Sequence, residues 1–319
     1  MSFSLWCDFI QKDFLENEFK DLVDSGLIQG ATSNPSIFAQ SLKTPAYADS
    51  IRALKGAKQK DIYESLAIAD IQRAAQILKP LWEKNNANGF VSIEIDPFLS
   101  DNASKSIDEG LRLFRHINMP NVMIKVPATH AGYEVMSVLA QKGVSVNATL
   151  IFTPYQAKEC ASALQSGFKD SKENPQGVIS VFVSRFDRML DSTLPTNLHL
   201  QTGIINAMDC YEVIENYDEK NIRTLFASTG MKDKNYSQSY YVENLILPHS
   251  VNTAPLDAIR AYEKSLNKAQ TSLIDSKTRL DFWHNLKECG VVYDNVAKRL
   301  LDEGLESFKQ SFEELLKTL

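Results

Sequence analysis

Along the whole chain, short stretches of alternating apolar and polar residues give way to longer amphipathic ones. Alternation with a period of two marks strands, and apolar positions three and four apart mark helices. Strands are therefore predicted at "FSLWCDF" (3–9), "QGATSNPS" (29–36), "GFVSIEIDP" (89–97) and "NVMIKVPAT" (121–129). Four more follow at "GVSVNATLIF" (143–152), "GVISVFVSRF" (177–186), "RTLFAST" (223–229) and "HSVNTAP" (249–255). Helical patterns such as "KDIYESLAIADIQRAAQILKPLWEKNN", "ASKSIDEGLRLFRHIN", "AGYEVMSVLAQKG" and "YQAKECASALQSGF" lie between them. Eight strands, each followed by helix, predict an α/β fold, a single (β/α)8 barrel over residues 1–319. A doubly wound open sheet is the alternative, but no G-x-G-x-x-G turn supports it. Helices at about 256–319 are expected to pack on the barrel. In the last of them Leu301, Leu305, Phe308, Phe312 and Leu315 recur at helical spacing. That stripe either packs on the barrel or forms a dimer surface.

In a barrel, alternate residues of each strand face the interior and the rest face the helices. A helix-covered face is apolar, so the polar set of each strand is the inner one. Ser92 and Glu94 then face inward, opposite Val91, Ile93 and Ile95. Ser145, Asn147 and Thr149 face inward, opposite Val144, Val146, Ala148 and Leu150. Trp6 and Asp8 share an inward parity, as do Thr32 and Asn34, and Ser180 and Phe182. Lys125 is the unusual member, set with Met123 against Val122, Ile124 and Val126. Desolvating an ammonium group is costly unless something compensates, so an inward lysine calls for a reason. All these polar residues lie toward the C-terminal ends of their strands, where barrels build their sites.

The composition narrows the partners. Of 319 residues, 44% are hydrophobic and 23% charged, which is ordinary for a chain with a large core. A formal charge of −6 gives no electrostatic footprint for nucleic acid or an anionic membrane. The start "MSFSLWCDFIQKDF" lacks the basic and apolar regions of a signal peptide. No apolar run reaches the roughly 18 residues of a membrane-spanning helix. Cys7, Cys160, Cys210 and Cys289 are far apart, which predicts reduced thiols rather than a metal site or disulfides. Without a secretory signal, the N-x-S/T matches at Asn102, Asn147 and Asn235 are read as chance. These features describe a soluble cytoplasmic protein, a monomer or homodimer.

An inward lysine between carboxylates is either a structural ion pair or a reactive amine. A desolvated lysine that gives up its proton can attack a carbonyl and form a Schiff base. The protonated imine is an electron sink for breaking or making the adjacent carbon–carbon bond. Glu94, through a positioned water, suits the proton transfers at the carbinolamine, and Asp8 suits removal of a hydroxyl proton during cleavage. Asn34, Asn147 and Ser180 offer neutral partners for a polyol. Arg185 and Lys232 could hold phosphate. No cofactor or metal is required by such an arrangement.

The segments "LWCDF", "GATSNPSIF", "VSIEIDP", "VMIKVPAT", "VNATLIF", "ISVFVSRFD", "LFASTGMKDKNYS" and "VNTAP" together resemble the transaldolases, class I aldolases that use a Schiff-base lysine. The resemblance covers most of residues 5–255. It implies a barrel with the lysine on the fourth strand, where Lys125 lies. It also implies catalytic roles for Asp8, Glu94 and Lys125, with Thr149 helping to hold a catalytic water. Thr32, Asn34, Asn147, Ser180 and Phe182 would line the substrate site, and Arg185 would take the phosphate. Where some transaldolases carry a second phosphate-binding arginine, this chain has "FASTG", so Ser228 and Lys232 are expected to substitute. The implied activity moves a dihydroxyacetone unit between sugar phosphates in the non-oxidative pentose phosphate route. The alternatives are a fructose 6-phosphate aldolase, against which Phe182 speaks, and an inactive sugar-phosphate-binding protein.

Overall fold

The computed structural model describes residues 2–319. Its strands are β1 (Ser4–Cys7), β2 (Gly30–Ala31), β3 (Phe90–Glu94), β4 (Val122–Pro127), β5 (Ser145–Ile151), β6 (Gly177–Phe182), β7 (Ile222–Ala227) and β8 (Ser250–Ala254). They close into a barrel in sequence order, every pair parallel. The helices before β4 are α1 (Lys12–Glu16), α2 (Glu18–Asp24), α3 (Pro35–Ser41), α4 (Ala48–Ala53), α5 (Gln59–Lys84) and α6 (Ala103–Ile117). Between β4 and β8 come α7 (His130–Gln141), α8 (Pro154–Lys169), α9 (Ser184–Leu190), α10 (Thr202–Glu215) and α11 (Tyr240–Glu243). After the barrel come α12 (Leu256–Lys264), α13 (Ser276–Glu288) and α14 (Tyr293–Thr318). The fold is the (β/α)8 barrel that the alternation predicts. Among the described residues, no helix is long and apolar enough to cross a membrane.

Two apolar clusters divide the residues by parity. Leu5, Val91, Ile93, Ile124, Val146 and Ile179 pack with the helices in one. Trp6, Phe90, Met123, Val178, Leu225 and Val251, from the opposite faces of the strands, pack together in the other. The barrel interior is thus filled by side chains. Trp6 fits because Gly30 has none: a Cβ there would lie 2.6 Å from the indole ring. The N-terminal end is occupied by Arg223, which is buried and donates to the carbonyls of Ala87, Ser2 and Ser250 and to the Ser4 hydroxyl.

Three expectations are corrected. The predicted strand 29–36 keeps only two paired residues, because the Asn34 side chain caps α3 at the Ile37 N–H and Pro35 opens that helix. The predicted strand 177–186 ends at Phe182, and α9 begins at Ser184, so Arg185 sits on a helical first turn. Leu150 is not on the outer face. The register of β5 against β6 shifts between Ala148 and Ile151, and Leu150 has φ 61°, a left-handed conformation costly for a branched side chain. That irregularity turns Leu150 into the interior cluster with Phe152 and Phe182. In the last helix the buried stripe is Ala297, Leu300, Gly304, Phe308, Phe312 and Leu315, with Leu301 and Leu305 only half-buried at its edge.

Helix α14 does more than coat the barrel. It packs against α3, α5, α9 and the end of β5, which carries it across the C-terminal mouth. Ser311 shares a 2.6 Å hydrogen bond with Ser36, and Phe312 meets Tyr63 edge-on at 5.3 Å. Gly304 sets the approach, since a Cβ there would stand 2.9 Å from Leu150 Cδ2 and 3.2 Å from Arg185 Nη1.

Candidate active site

Strand register builds the centre of the site. Glu94 on β3, Lys125 on β4 and Asn147 on β5 are paired neighbours in one row, and Thr149 follows Asn147 on the same face. Lys125 Nζ lies 3.4 Å from Glu94 Oε2 and donates to the Ser33 carbonyl at 3.2 Å. Both side chains of this pair are almost wholly buried, at 7% and 3% exposure. The Phe308 ring of α14 stands over Nζ, its centroid 5.5 Å away. Glu94 Oε2 and Thr149 Oγ1 are both buried without a hydrogen-bond partner. Native interiors rarely leave such atoms unpaired.

Asp8 follows β1 on the same cavity, which has a volume of about 210 Å³. Its Oδ1 accepts from Thr32 Oγ1 at 2.6 Å, and Thr32 Oγ1 lies 2.7 Å from Thr253 Oγ1. Ser180 donates to Asn147 Oδ1 at 2.6 Å, and Asn147 Nδ2 donates to Ser92 Oγ at 3.0 Å. This chain fixes the amide so that its environment is polar and oriented. Asn34 faces the cavity from the start of α3, and Phe182 and Ser228 complete the wall toward Arg185. Ser228 has φ 56° and its hydroxyl lies 3.1 Å from that of Ser184. Left-handed backbone at both Leu150 and Ser228 places local strain on the mouth.

Burial governs the charges. Desolvation raises the Glu94 carboxyl to about 7, with Lys125 opposing the rise. The Asp8 carboxyl opens onto the cavity but is enclosed elsewhere, and desolvation raises it too, against Lys125 and the Thr32 hydrogen bond. The Arg185 guanidinium is held below its usual range, chiefly by burial and then by Arg188. It lies 5.0 Å from the Phe182 ring centroid. Asp187, the one candidate counter-ion in its segment, instead accepts from the Gly203 N–H and the Tyr241 hydroxyl.

Of the predicted residues, Asp8, Thr32, Asn34, Lys125, Asn147, Thr149, Ser180, Phe182, Arg185 and Ser228 come together on one cavity, and Glu94 reaches it through Lys125. Lys232 does not, because it sits exposed on the loop after β7. Beyond Arg185 the rim instead presents Arg188 and Arg299, with Glu303 paired to Arg299 at 2.7 Å. The sequence reading missed Ser36, Ala227, Thr253, Ser307 and Phe308. Thr253 shares the inward parity of Val251, a signal that could have found it. Ser307 and Phe308 come from a helix, where strand parity says nothing.

A lysine and two carboxylates gather at the C-terminal mouth of a filled barrel, the end where enzymes of this fold build their sites. The family profile described as Transaldolase/Fructose-6-phosphate aldolase matches residues 5–319, and the chain belongs to that family. The transaldolase of Helicobacter pylori (strain P12) is 50% identical over 317 residues, covering 99% of each chain. That of Campylobacter jejuni subsp. jejuni serotype O:23/36 (strain 81-176) is 46% identical over 331 residues, covering 100% of this chain and 99% of the relative. This protein is an enzyme of the transaldolase family.

Proposed function

We propose that the enzyme takes a dihydroxyacetone unit from sedoheptulose 7-phosphate or fructose 6-phosphate and passes it to glyceraldehyde 3-phosphate or erythrose 4-phosphate. Lys125 carries the unit as a Schiff base. The observation that carries this reading is the amine itself, buried against Glu94 at the base of a polar cavity that also holds Asp8. Neutral Lys125 adds to the ketose C2 carbonyl, and loss of water gives the imine. A carboxyl that titrates near 7 can both give and take protons at neutral pH, which suits Glu94 to the carbinolamine steps. A water between Glu94 Oε2 and Thr149 Oγ1 would satisfy both atoms and relay those protons. Asp8 takes the C4 hydroxyl proton as the C3–C4 bond breaks, leaving an enamine on Lys125 and a free aldose phosphate. Attack of the enamine carbon on an acceptor aldehyde reverses these steps. Asn34, Asn147 and Ser180 hold hydroxyls, while Arg185 and Ser228 face the phosphate.

Borohydride reduction in the presence of fructose 6-phosphate tests the assignment. A dihydroxyacetone-derived mass is expected on the peptide containing Lys125. Modification of another lysine, or none during turnover, would sink it. Lys125→Arg should not restore activity, because a guanidinium stays protonated and cannot act as the amine.

A further inference from the structure

Phe308 is unexplained by the steps above. It supplies no proton and no hydrogen bond, yet it lies over the amine at 5.5 Å and is 5% exposed. Its place is held on both sides along α14. Gly304, one turn before it, seats the helix on Leu150 and Arg185. Ser311 and Phe312, one turn after it, tie the helix to Ser36 and Tyr63. A ring fixed so firmly above a reacting nitrogen has a chemical consequence.

We propose that Phe308 is a specificity-determining residue that decides whether the carbon unit on Lys125 is transferred or released. This rests on the transfer reading above. After C3–C4 cleavage the enamine has two fates. Its C3 can attack an acceptor aldehyde, forming a new C–C bond. Alternatively C3 can take a proton from water, giving the protonated dihydroxyacetone imine and hydroxide, which takes up the proton released when that imine is hydrolysed. A second water then hydrolyses that imine to free dihydroxyacetone and the Lys125 amine. Only the second route needs a proton donor at the carbon, and an apolar ring over the site withholds one. The ring also faces a protonated imine favourably, because an aromatic face attracts a cation.

The test uses Phe308→Leu and Phe308→Ala in the full-length enzyme. With fructose 6-phosphate as donor and erythrose 4-phosphate as acceptor, free dihydroxyacetone and sedoheptulose 7-phosphate are quantified together. The ratio of release to transfer is a property of active molecules only, so loss of folded protein cancels from it. The ratio should rise from wild type through Leu to Ala as water gains access to C3, reaching on the order of tenfold in Ala, about 1.4 kcal/mol in relative barrier. Variants that still transfer with the wild-type ratio would overturn the role of Phe308, whatever their turnover. Wild-type enzyme that forms no transfer product would overturn the transfer reading itself, and this inference with it.

Discussion

Replacing Glu94 by glutamine should change how stability depends on pH, and the size of the change follows from the site. An ordinary glutamate titrates near 4.5, whereas buried Glu94 holds its proton to about 7. Between those values the folded protein binds a proton that the unfolded chain has released, so stability falls as pH rises through that window. Each pH unit of separation is worth about 1.4 kcal/mol, so the full window amounts to about 3 kcal/mol. Glutamine cannot titrate and lacks this dependence. Asp187, raised to about 7, and Asp70, raised to about 6, slope the same way but are common to both proteins and cancel in the difference. Urea unfolding at pH 4.5 and 7.5 measures the result. Relative to wild type, Glu94→Gln should gain about 3 kcal/mol between the two pH values. A difference that does not change with pH would mean that burial does not penalise the Glu94 carboxylate, and its proposed acid–base role near neutrality would lose its footing.

Two further outcomes are expected. Arg185→Ala should cost on the order of 10- to 100-fold in kcat/KM with phosphorylated donors, the value of a charge-assisted hydrogen bond, and far less with unphosphorylated ones. Kinetics on both donor types decide it, an equal loss meaning that Arg185 supports the fold. Arg223→Met should destabilise the protein by roughly 3 kcal/mol or more, since it strips a shared donor from two buried carbonyls and the buried Ser4 hydroxyl at the barrel's N-terminal end. Unfolding in urea checks this, with the kinetics of folded protein unchanged.

Most of the barrel and the centre of its site were legible because the strands carry apolar outer faces and, toward their C-terminal ends, polar inner ones. Lys125 stood out against Val122, Ile124 and Val126, and Glu94 against Ile93 and Ile95, for that one reason. What escaped the reading lies where the period of two breaks. The Asn34 cap reads as extended chain until the helix after it is seen, and nothing in "NATLIF" announces the left-handed residue that turns Leu150. Phe308 belongs to the apolar stripe that helical spacing predicts. Its place above Lys125 depends on a crossing path that no local pattern encodes, and Lys232 was aimed at the site for the same lack.

The path of α14 also orders events in the life of the molecule. Translation delivers Asp8, Glu94 and Lys125 long before the helix that roofs them, and the contacts of Phe308 span most of the chain. Until α14 has emerged, a nascent chain holds Lys125 without the ring that covers it. Completion of the enzyme is the arrival of that roof, and maturation is a matter of closing the bowl rather than building it.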